Sequence, residues 1–63
     1  MTKLKDLELT SGIKKLVIEG EFDSDKEVYI VVEDTSSDHE IGFYAMEVDL
    51  EDMYRHIGKL LGK

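Results

Sequence analysis

The chain changes its hydrophobic period once, near Asp49. From Ile13 to Val48 apolar residues recur at alternate positions, as in a strand with one buried face, and from Leu50 they recur every three to four residues, as in a helix. The first alternating stretch predicts a strand over about 13–22, with Leu16, Ile18, Gly20 and Phe22 on one face and Lys15, Val17, Glu19 and Glu21 on the other. Asp23-Ser24-Asp25-Lys26 then reads as a turn, because short Asp and Ser side chains bond nearby backbone groups. A second strand over about 27–33 sets Val28, Ile30 and Val32 against Tyr29 and Val31. After a second polar turn, Asp34 to Asp38, a third strand over about 40–48 sets Ile41, Phe43 and Ala45 against Gly42, Tyr44, Met46 and Val48.

The helix is predicted over about 50–61, where Leu50, Met53, Ile57, Leu60 and Leu61 fall on one stripe. Asp49 is placed to cap its first N–H groups, Glu51 and Asp52 suit the positive end of the dipole, and Lys59 and Lys63 suit the other. Gly58 inside the stripe points to close packing against the sheet, and Gly62 to the helix end. Leu4 to Leu9 fit either period and read as a short edge strand or an ordered arm. The expected fold is α+β, a three- or four-stranded antiparallel β-meander followed by one C-terminal amphipathic helix packed on the sheet. It forms a single domain over 1–63.

Size makes that core thin. A chain of 63 residues buries only about 60% of its unfolded surface, and small folds compensate with disulfides, metals or partner subunits. With no cysteine the first route is closed, which leaves self-association. The composition is 41% apolar, too rich for a disordered tail, and no apolar run exceeds Val28 to Val32, far short of a membrane span. No secretory signal is expected at the N-terminus, and a cytoplasmic setting follows.

Charge is the most uneven feature. Thirteen of the fifteen carboxylates lie between Glu19 and Asp52 with one cation, Lys26, among them, so this segment carries a formal −12 within a total of −7. Catalytic chemistry finds little to work with. His39 lies in a turn beside Ser36 and Ser37, which hold a nucleophile poorly, and His56 on the helix has Asp52 as its one well-spaced carboxylate, too few ligands for zinc. The run from Asp23 begins like a calcium loop but has Val28 where glycine is required and Asp34 where a bidentate Glu is required. Paired acids such as Glu19 with Glu21 lack a cleft. No enzyme activity, metal or cofactor is therefore expected.

Lys14, Lys15, Arg55 and Lys59 could form a small basic patch, but net repulsion argues against direct nucleic-acid binding. The acids instead favour a basic protein partner. Glu19, Glu21, Asp23, Asp25, Glu33, Asp34, Asp38, Glu40 and Glu47 are expected to form an electronegative partner-binding surface. A compact acidic domain can present carboxylates where phosphates sit in the groove of a nucleic-acid-binding protein, so an inhibitor or nucleic-acid mimic is one reading. In size and charge the chain is similar to small phage-encoded inhibitors of host enzymes. The alternative is an assembly protein, because Tyr29, Val31, Tyr44 and Met46 give the sheet a second apolar face that one helix leaves uncovered. They are the candidate homodimer interface, with charge then serving solubility.

Overall fold

The computed structural model describes residues 4–63. Lys3, which contributes to the basic N-terminal stretch, lies outside the described residues. Four strands, β1 (Leu7–Ser11), β2 (Lys14–Ile18), β3 (Glu27–Asp34) and β4 (His39–Met46), form one antiparallel sheet in the order β1-β2-β3-β4, and a single helix, α1 (Glu47–Leu61), follows. The ambiguous N-terminal segment is thus an edge strand. No helix among the described residues is long and apolar enough to cross a membrane.

Register sorts the side chains onto two faces. Leu7 faces Ile18, Ile18 faces Ile30 and Ile30 faces Phe43, while Leu9, Leu16, Val32 and Ile41 form the next row and Val28 pairs with Ala45. Directly opposed residues in an antiparallel ladder share a face, so this one, the inner face, is apolar along most of its length. The outer face carries Glu8, Lys15, Val17, Tyr29, Val31, Glu33, Glu40 and Tyr44. Tyr29 and Tyr44 stack there with ring centroids 4.8 Å apart, over Gly42. A Cβ at Gly42 would lie 2.7 Å from the Tyr29 hydroxyl and from the Ile30 carbonyl oxygen, so the close approach of ring to strand needs glycine.

The core is small: Val28, Ile30 and Ala45 are buried, with Leu16, Ile18, Leu50 and Met53 packed against them. Thus only the first half of the helix stripe meets the sheet. Ile57 and Leu60, further along the stripe, are exposed.

Two boundaries and one packing contact differ from expectation. The first long strand stops at Ile18, not Phe22, because Leu4 N–H donates to the Gly20 carbonyl and Asp6 accepts from Gly20 N–H, drawing the N-terminal arm against this segment. The helix starts at Glu47, so Asp49 is its third residue rather than its cap, and its carboxylate reaches back to accept from Met46 N–H at 2.9 Å. Gly58 packs against no strand, since a Cβ there would meet only the Lys63 carbonyl at 3.6 Å. Gly62 does end the helix. It adopts φ 75, with Gly62 N–H donating to the Lys59 carbonyl and Lys63 N–H to that of Gly58.

With room at Gly58 and ordinary helical backbone, Gly58→Ala should stabilise the fold by about 1 kcal/mol, the difference in helix propensity. Urea denaturation checks this, and a lower midpoint for the variant would contradict it.

Candidate functional site

The nine candidate acids divide between the two ends of the sheet. Glu19, Glu21, Asp23 and Asp25 lie in the β2–β3 connection, and Glu47 opens α1 beside the Glu27–Met46 pair. Glu33, Asp34, Asp38 and Glu40 lie at the β3–β4 turn. The eight residues of β3 separate the groups by about 23 Å at the rise of a strand. Folding gathers the acids into two patches rather than one sheet-wide surface.

Several of these carboxylates build the turns they occupy. Asp23 Oδ1 accepts from the N–H groups of Asp25 and Glu27, both at 2.9 Å, and holds a reversal in which Lys26 adopts φ 62. Glu19 Oε1 accepts from Tyr29 N–H at 2.9 Å where the β2–β3 ladder ends. At the other end Asp34 accepts from Lys14 Nζ at 2.7 Å and from the Ser36 N–H and hydroxyl at 2.9 and 2.7 Å. Thr35 ties the two turns of that end together by donating its N–H and hydroxyl to the Ile13 carbonyl.

The candidate chemical groups are not brought together into a catalytic set. The Ser37 hydroxyl lies 3.3 Å from His39 Nδ1, both exposed in the turn. Asp52, the helical neighbour of His56, pairs with Arg55 instead. The carboxylates of Asp23, Asp25 and Glu27 approach within 4.8 Å of one another, and Asp23 Oδ1 is engaged with the turn backbone. Three of the four basic candidates have an acidic partner: Lys14 pairs with Asp34, Lys15 with Glu8 at 3.2 Å, and Arg55 with Asp52.

The apolar surface is the larger feature. On the outer face Val31 is buried and Tyr29 half-buried within their own sheet, which leaves Tyr44 and Met46 exposed among the four proposed interface residues. The inner face is open beyond the reach of the helix. Ile41 is 76% exposed and Phe43 54%, with Val32, Leu7 and Leu9 also exposed. Ile30, Val32, Ile41, Gly42 and Phe43 line a shallow apolar depression of about 340 Å³ there. Along the helix Leu60 is 72% exposed, and Tyr54, Ile57 and Leu61 border a second, mostly apolar groove of about 420 Å³. Sequence reasoning named Ile41, Phe43, Ile57 and Leu60 only as core, since alternation marks a face but not how far a helix reaches along it.

Two global quantities agree with an unfilled face. The accessible surface is 5485 Å², against about 4,100 Å² for a typical folded monomer of 7.2 kDa. The radius of gyration is 13.1 Å, where a compact chain of 63 residues has about 10.6 Å. No protein-family model, curated protein or solved structure matches the chain.

The bonds from Lys14 and Ser36 hold the Asp34 carboxyl well below its ordinary 3.8. A depressed folded pKa contributes stability that is present above the unfolded pKa and is lost as pH falls through the folded one. Asp34→Asn should therefore be less stable than wild type at neutral pH, with the gap narrowing below about pH 4. Parallel urea titrations read this, and a pH-independent gap would refute it.

Proposed function

We propose that the chain is a non-catalytic protein-interaction module whose working surface is the uncovered part of the inner sheet face together with the helix stripe that continues past it. The observation that carries this reading is the contiguous exposure of Ile41, Phe43 and Val32 on strands whose other apolar inner residues, Val28, Ile30 and Ala45, are core. Apolar patches that a monomer leaves open in this way mark interaction sites. The scattered Ser, His and carboxylate groups support binding over catalysis, and the cysteine-free composition suits work in the cytoplasm.

In protein dilute enough to be monomeric, Ile41→Lys with Phe43→Lys should keep the far-ultraviolet circular dichroism of the wild type while abolishing its binding of an apolar fluorescent dye. Unfolding of the variant would instead identify these side chains as core and remove the reading.

A second reading is carried by the crowding of Glu19, Glu21, Asp23, Asp25, Glu27 and Glu47 at the end where the helix begins. Such a patch favours a basic protein, including one whose groove normally holds nucleic acid, and the chain would then act as an inhibitor. Capture of a basic protein from extract that weakens steeply with salt, and weakens again on Asp25→Asn with Glu47→Gln, is the expected result. Salt-insensitive capture would reject it.

A further inference from the structure

We infer that the occupant of the inner face is a second copy of this chain, with the outer half of each helix laid across the uncovered half of the other copy's sheet. The inference rests on the docking reading above and names its partner.

The chain carries both sides of the interface. The depression bounded by Val32, Ile41 and Phe43 is shallow and apolar, and the helix stripe of Ile57, Leu60 and Leu61 is apolar and exposed. They do not meet within one molecule. Because β4 ends at Met46 and α1 begins at Glu47, the helix packs where it starts, through Leu50 and Met53, while Ile41 lies near the opposite end of β4. Beyond Met53 the helix continues to Leu61, about 12 Å at its rise per residue, enough to cross two or three strands about 4.8 Å apart. An exchange about a twofold axis fills both surfaces at once and closes on itself, giving a dimer and no filament.

Area supports the same occupant. The excess of the 5485 Å² surface over a typical monomer is about 1,400 Å², more than the roughly 800 Å² that each partner contributes to a standard interface. The chain has no cysteine for a disulfide or a thiolate metal site to offset its thin core, and a partner subunit is a route that stays open. Edge-to-edge pairing of β4 would extend the sheet but leave the helix ridge wet. Helix exchange covers it.

Each copy carries −7, so added salt should tighten this dimer by screening repulsion, opposite to its effect on a complex with a basic protein. Sedimentation equilibrium on the full chain should return twice the 7.2 kDa monomer mass, with association strengthening at high salt. Ile41→Lys and Leu60→Lys, both at exposed positions, should each keep the wild-type circular dichroism and weaken association by at least about tenfold, as loss of a central apolar anchor does. The cysteine-free background permits a direct test of the exchange. Ile41→Cys and Leu60→Cys, prepared separately, mixed and treated with a short bis-maleimide, should give predominantly the mixed cross-link.

A dimer that cross-links only between like variants would overturn the helix exchange. A monomer at every protein and salt concentration would overturn the second copy. In that monomer, dye binding abolished by Ile41→Lys with Phe43→Lys would leave the docking reading standing for another partner. Absence of dye binding in the wild-type monomer would overturn both.

Discussion

The direct passage of β4 into α1 constrains where the helix can lie, and most features of the molecule follow from that constraint. With no loop to travel, the helix must pack beside the point where the strand ends, and the residues it reaches, Val28, Ile30 and Ala45, are the buried ones of the inner face. A longer connection would let a helix of fifteen residues settle along the whole inner face. As built, apolar rows that continue through Val32 and Ile41 run out from under it, and the helix stripe runs out beyond the sheet. Hydrophobic burial is proportional to area removed from water, so a face half covered leaves much of its stabilisation unrealised in a single chain.

Charge plays two roles in this arrangement. Asp23, Glu19 and Asp34 spend their carboxylates on backbone N–H groups and so shape the connections between strands. Those carboxylates are part of the turns before they are part of any field. Glu21, Asp25 and Glu47 at one end of the sheet and Glu33, Asp38 and Glu40 at the other sit around them, which keeps the open apolar face between two negative rims. Such rims suppress indiscriminate aggregation of an exposed hydrophobic surface while leaving it open to a partner that matches its shape.

Much of the fold was legible in the sequence. Period-two placement of Leu16 and Ile18, of Val28, Ile30 and Val32, and of Ile41, Phe43 and Ala45 assigned these side chains to one face, and the change of period assigned the helix. What stayed hidden depended on contacts between distant segments. The early end of β2 at Ile18 is caused by the arm at Leu4 and Asp6, which local pattern does not reveal. Val48 continues the strand alternation into residues that are helical, and Asp49 has the same composition signal at the cap as at the third position, so the start at Glu47 was displaced. For the candidate surfaces, the sequence showed too much apolar area for one helix but placed the excess on the tyrosine face. On that face Val31 is buried beside the Tyr29–Tyr44 ring pair while Tyr44 and Met46 stay exposed, and the short reach of the helix leaves Val32, Ile41 and Phe43 of the other face exposed as well.

The meander also bears on how the molecule reaches this state. Every strand pairs only with its neighbours in sequence, across turns as short as Gly12-Ile13. Closing such short loops costs little entropy, and chains dominated by near-neighbour pairings cross their barrier quickly. Hairpins can therefore assemble in succession along the polypeptide, each supplying a template for the next, without any search for a remote partner. Rapid collapse of this kind limits the time that unpaired strand edges are presented to other molecules before the native sheet is complete.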